Sequence, residues 1–254
     1  MDVESLIGAL RTQGASLGDA AQQAGPTAAV PTCPGWTVRD LLLHVGGVHR
    51  WATVMVGEVR TEPIDLDQPY DIVDELPDDD ELVTWFRDGH ADLVRTLDQA
   101  SADVACWAFL PAPSPLAFWA RRQVHETTVH RADADAAAGL RTSVPADVAV
   151  DGIDELLTCF VSGRNRKLRA KTPRTLQVHA TDADADWLIR IGPDRPEAKR
   201  VTGDVTADDS VAGSAEELYL ALWNRKPWDH LTTAGATPAE LAQQWASSVY
   251  VRWS

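Results

Sequence analysis

Residues 118 to 133 read Phe118-Trp119-Ala120-Arg121-Arg122-Gln123-Val124-His125-Glu126-Thr127-Thr128-Val129-His130-Arg131-Ala132-Asp133, and the interpretation of the whole chain turns on them. The stretch reads as a helix carrying half of a metal site. Glu126 and His130 are four residues apart, about 40° around a helix axis, so they present a carboxylate and an imidazole to one point. The rival motif H-E-x-x-H fails, because Val129 stands where its second histidine would be. His125 lies about 140° from His130 by helical rotation and points elsewhere. A solvated intrahelical pair of Glu126 and His130 is the competing interpretation, and a third donor from another segment decides between the two.

Upstream, the candidate third donor is His44. Thr37 and Asp40 have the N-cap and N3 spacing of a capping box, with Trp36 and Leu41 placed as its hydrophobic staple, so a helix starts at Val38. Its apolar face runs through Leu41, Leu42, Val45, Val48 and Ala52, and His44 sits with Leu41, Val48 and Trp51 on that face. An inward imidazole of this kind is often a satisfied core residue, but the Glu126/His130 pair lacks one nitrogen donor for a three-ligand site with an open position. His49 lies about 140° around the helix from His44 and is left out.

Two more helices complete a bundle. Residues 3 to 24 place Val3, Leu6, Ile7, Leu10 and Leu17 at helical spacing before Gly25-Pro26, and Leu82 to Gln99 repeats the pattern with Phe86, Leu93 and Leu97. The acids Asp78 to Glu81 suit the N-terminus of that helix, and His90 shares its inner face, toward the core or the site. Four helices with inward polar residues on two of them match a four-helix bundle holding a metal in its core. A fifth helix is expected over Asp147 to Val161.

The basic run Arg164 to Arg174 then breaks the acidic trend and reads as a linker, placing one domain at 1–163 and a second at 175–254. Beyond it the hydrophobic period changes from 3.6 toward 2. Leu176 to Ala180 and Trp187 to Ile191 alternate as strands, a further strand is expected near Val205 to Val211, and Ser214 with Glu217 caps a helix ending near Asn224. Thr237 and Pro238 open a last helix toward Ser248. The fold class is therefore α+β, a helical bundle followed by a small mixed α/β domain.

Composition narrows the partners. Lys and Arg number 23 against 38 Asp and Glu, a net charge of −15 that repels phosphate backbones and anionic lipid, so neither nucleic acid nor membrane is expected. An acidic start and the lack of a long apolar run point to a soluble cytoplasmic protein, monomeric or a small homo-oligomer. Cys33, Cys106 and Cys159 have neither the number nor the spacing of a disulfide framework or zinc ribbon. Cys33 is a conceivable nucleophile, but no neighbour in sequence supplies a base.

Three segments carry a resemblance: Cys33 to His44 (CPGWTVRDLLLH), Arg122 to Asp133 (RQVHETTVHRAD) and Gly213 to Arg225 (GSAEELYLALWNR). Together they resemble the mycothiol-dependent maleylpyruvate isomerase family, in which a DinB-like metal-binding bundle precedes a small SCP2-like α/β domain. The resemblance implies a zinc site formed by His44, Glu126 and His130, and mycothiol as a cofactor. It also implies a functional arginine in the second domain, matched here to Arg225, which as a helix-end cation has a structural explanation too. On this reading zinc activates a low-molecular-weight thiol as a metal-bound thiolate for attack on an electrophilic small molecule, ending in cis-trans isomerisation or S-transfer. Arg122, Gln123 and His90 are candidates for orienting the substrate. Two alternatives stay open: a zinc-water hydrolase with Asp133 as its base, and a non-catalytic metal or small-molecule-binding module.

Overall fold

A computed structural model describes residues 1–203, 205–235 and 238–251. The chain divides into two compact units, one ending at Thr142 and the other beginning at Ser143.

The first unit is the expected bundle: α1 Val3–Ala24, α2 Val38–Gly57, α3 Leu82–Gln99 and α4 Pro115–Ala137. Local chemistry fixes each start. The Asp2 carboxylate accepts from Ser5 N at 2.8 Å, Thr37 and Asp40 form the reciprocal capping box, and Ser114 accepts from Ala117 N ahead of Pro115. Helix α1 packs on α4 and α2 on α3. Leu17, Leu41, Leu42, Val45, Leu82 and Phe86 meet in the core. Helix α4 is central. Between Leu116 and Asp135 only Ala117, Arg121 and Arg131 escape burial, so this helix has no solvent face and no amphipathic stripe.

The second unit opens with α5, Ala146–Asp154, which passes directly into a π-helical turn, Glu155–Val161. There Ser162 N bonds Leu157 O at 3.1 Å and Asn165 N bonds Phe160 O at 2.8 Å, a five-residue spacing. Strands β1 Arg174–Ala180, β2 Ala185–Ile191, β3 Glu197–Val201, β4 Asp209–Gly213 and β5 Thr232–Gly235 form one sheet in the order β3-β2-β1-β4-β5. Only the central β1/β4 pair is parallel. Leu176, Val178, Ala180, Trp187, Ile189 and Ile191 are all buried in strict alternation. Helix α6, Ala215–Leu222, carries the Ser214/Glu217 capping box and packs on α5. Helix α7 runs Pro238–Ser248; Thr237, expected to open it, lies outside the described residues. Among the described residues no helix is long and apolar enough to cross a membrane.

The division at 142/143 falls earlier than the expected linker at 164–174. That basic segment is stitched into the second unit: Leu168 is buried, Asn165 donates to Ser248 O at 2.8 Å and Gln244 donates to Arg169 O at 2.6 Å. Charge composition alone cannot register side-chain bonds to backbone carbonyls of this kind. The strand expected near 205–211 begins instead at Asp209, whose carboxylate is buried against Arg174 at 2.5 Å.

Candidate metal centre

Two helices bring the expected donors together. The capping box at Thr37 sets the phase of α2 so that His44 falls on its inward face, and α4 carries Glu126 and His130 one turn apart. Glu126 Oε1 lies 3.1 Å from His44 Nε2 and 3.3 Å from His130 Nε2. Donor atoms of the three residues all fall within 4.8 Å of one another, and all three residues are buried. Zinc–nitrogen and zinc–oxygen bonds near 2.0–2.2 Å set tetrahedral donors about 3.3 Å apart. The carboxylate-to-imidazole separations are of that size, so the arrangement fits a small divalent cation held by two imidazoles and a carboxylate.

The charges around the centre fit a cation as well. Burial pushes the Glu126 carboxyl up, but hydrogen bonds from His130 and His44 and the charge of Arg122 outweigh it and hold the group well below the usual carboxylate range. Arg122, itself buried, donates to the other oxygen, Oε2, at 3.2 Å. Burial holds the His44 imidazole below its ordinary value, against the opposing pull of Glu126. For His130 burial also acts downward, yet the bonds to Asp133 and Glu126 win and raise it. Without a metal, His130 faces a carboxylate oxygen with each ring nitrogen, so it must be doubly protonated to serve both. A cation at the centre removes that demand, because its charge replaces the proton on Nε2.

The wall of the site comes from the loop between α1 and α2. Trp36 packs edge-on to His44, with centroids 5.1 Å apart, and stacks on His130 at 6.2 Å. The loop closes through an isolated bridge between Ala29 and Thr37 and the bond Val30 N to Trp36 O at 2.9 Å. Thr32 Oγ1 donates to Asp133 Oδ1 at 2.5 Å, and the Cys33 thiol to Asp133 Oδ2 at 3.4 Å. Cys33, His130 and Asp133 thus form a second donor group overlapping the first at His130. An acceptor that could not be found beside Cys33 in sequence is supplied from one hundred residues away.

The other histidines lie apart. His49 bonds Thr127 Oγ1 at 2.9 Å, and His90 bonds Leu10 O at 3.0 Å. His49, His90 and His125 join neither donor group among the described residues, so His90 is a core residue of the bundle. Gln123 is fully buried on the same α4 face as Glu126 and Thr127, and neither amide atom has a protein partner. Arg225 belongs to the second unit, where it donates to Trp223 O at 2.9 Å. Sequence spacing alone does not bring Trp36, Thr32 and Asp133 to this point. Of these, Asp133 had a visible signal, since it lies three residues after His130 on one helix.

Residues 7–135 match the family described as mycothiol maleylpyruvate isomerase N-terminal domain, and residues 147–244 match the MDMPI C-terminal domain. Among solved structures, the chain is similar to mycothiol-dependent maleylpyruvate isomerase at 13% identity, with a TM-score of 0.65 over 94% of this chain and 95% of that one. A histidine-to-alanine mutant of that enzyme matches over the same shares, at 13% identity and a TM-score of 0.66. No curated protein matches the sequence.

Proposed function

Because this chain belongs to the mycothiol maleylpyruvate isomerase family, we propose that it holds zinc on His44, Glu126 and His130 and works with mycothiol on an electrophilic small molecule. The carrying observation is the convergence of those three donors from two helices on one buried point. A divalent cation held there supplies positive charge that lowers the pKa of an entering thiol, making it a nucleophile at neutral pH.

The chain's own residues prepare that point. Arg122 occupies Glu126 Oε2, which leaves Oε1 as the oxygen facing the two imidazoles. Trp36 covers both imidazole rings and keeps bulk water from that side. When bound, the thiol would supply a nucleophilic sulfur whose reversible addition to an activated alkene would allow isomerisation, with the thiol returned unchanged, or, with a proton taken up on carbon, a conjugate. Arg225 is proposed as a functional cation on the family resemblance alone.

The hydrolase alternative needs a free base, and Asp133 is already engaged by Thr32, Cys33 and His130. That engagement favours the thiol reading. Three cysteines without a disulfide suit a reducing compartment, in keeping with a cytoplasmic thiol cofactor. The test is conjugate and isomer formation from an activated alkene, followed by mass spectrometry with mycothiol, with glutathione and with no thiol. Mycothiol should give the fastest turnover, and Glu126→Ala should abolish the gain. Equal rates in all three arms, independent of zinc, would sink the proposal.

A further inference from the structure

The carboxylate of Asp133 lies at the far side of His130 from the metal point. Its Oδ2 is 2.8 Å from His130 Nδ1, while His130 Nε2 faces Glu126 Oε1 at 3.3 Å. The two ring nitrogens therefore face two different carboxylates. Asp133 is wholly buried, and the loop between α1 and α2 fastens it: Thr32 donates to Oδ1 at 2.5 Å and Cys33 to Oδ2 at 3.4 Å.

We propose that Asp133 is a positioning residue for the metal centre. It holds the proton of His130 on Nδ1, so that Nε2 offers its lone pair to the cation, and Thr32 and Cys33 fix the carboxylate in that duty. This rests on the metal reading above. An imidazole ligand with a free second nitrogen can rotate or switch tautomer, and a carboxylate on that nitrogen stops both and makes the ligand more basic. The other possible role, Asp133 as a ligand in a site with Cys33 and His130, requires His130 Nδ1 and the Cys33 thiol to give up their protons and Asp133 Oδ2 to lose both of its present donors. Three donors already converge on this carboxylate, which makes it the acceptor of a supporting bond.

The loop thereby becomes part of the centre. Thr32 and Cys33 reach across about a hundred residues to the group behind His130, and Trp36 of the same loop packs on the His130 ring. A change that loosens the loop should weaken metal retention without touching a ligand.

The experiment measures zinc affinity by competition with a chromophoric chelator, on wild type, Asp133→Asn and Thr32→Val, with long-range proton–nitrogen spectra of the imidazoles. Asp133→Asn should weaken zinc binding by about 10- to 100-fold. Thr32→Val, which removes one donor to the carboxylate from a half-exposed loop position, should weaken it by about three- to tenfold, and it carries the test if Asp133→Asn does not fold. In the zinc-loaded wild type, His130 should carry its proton on Nδ1. Zinc affinity within twofold of wild type in the folded variants, or a His130 protonated on Nε2 in the loaded protein, would overturn the positioning role. A wild-type protein that takes up no zinc would instead remove the metal reading on which it rests.

Discussion

Helix α4 and the strand pair β1/β2 are both enclosed, yet they enclose different chemistry. On α4 the buried residues include Arg122, Gln123, His125, Glu126, Thr127, Thr128, His130 and Asp133. Along β1 and β2 the enclosed side chains are Leu176, Val178, Ala180, Trp187, Ile189 and Ile191. Apolar burial stabilises at about 25 cal/mol per Å², whereas a buried charge costs several kcal/mol unless it is paired. A helix that gathers charged and polar groups in its interior costs stability unless those groups are paired. The contrast is between a polar interior along α4 and an apolar one along β1 and β2.

The largest test of that contrast is a pair of substitutions. His44→Ala should reduce zinc uptake from one equivalent to near zero by elemental analysis, with helical circular dichroism retained, because the ligand adds metal affinity and little packing. Trp187→Ala should do the opposite. It removes a fully buried ring that donates to Asp154 Oδ1 at 3.0 Å and lies under Arg200, at a cost of about 3–5 kcal/mol in urea unfolding, with zinc per folded chain unchanged. If His44→Ala kept its metal, or if Trp187→Ala lost metal while folded, the division of labour would be wrong.

A smaller effect comes from the imidazoles that are not ligands. Burial first, and then the nearby His90 charge, hold His49 well below the ordinary imidazole value of 6.5. Burial likewise lowers His90, against its bond to Leu10 O. Both stay neutral in the fold while the unfolded chain takes up protons near pH 6.5. Stability is therefore fully present above that pH and falls as the solution is acidified, by up to about 1.4 kcal/mol per pH unit for each imidazole, until the folded form protonates too. His90→Gln, which keeps a donor for Leu10 O, should flatten the fall between pH 6.5 and 5. Identical slopes in the zinc-loaded wild type and variant would show that this burial carries no linkage.

The smallest test uses a device that both units share. Thr37→Ala and Ser214→Ala each break a capping box, and each should cost about 1 kcal/mol. Only Thr37→Ala should also weaken zinc binding, since the helix it starts carries His44. Equal zinc affinity in the two variants would mean that the start of α2 does not set the position of its ligand.

Both capping boxes were readable in the sequence, as were the α+β class and the shared helix face of Glu126 and His130, for a common reason. Each is a short-range pattern: N-cap to N3, a period of 3.6 or 2, or a four-residue step from Glu126 to His130. What escaped was set by distant or solvent-facing contacts. Strands β3, with Glu197, Lys199 and Arg200, and β5, Thr232–Gly235, are the two edges of the sheet. An edge strand need bury little, so it carries no alternating apolar signal. Thr32 and Cys33 depend on a partner about a hundred residues away. Asp133 stands at the i+3 position from His130, but its other donors come from that loop and leave no local pattern. The π-helical turn after Asp154 leaves no mark in the apolar pattern, since it shifts a hydrogen-bond spacing and keeps the same residues inside.

Helix α4, enclosed on every side, also bears on how quickly the protein can change state. Its amides have no route to solvent while α1 and α2 remain in place, so deuterium should enter this helix among the slowest segments of the first unit.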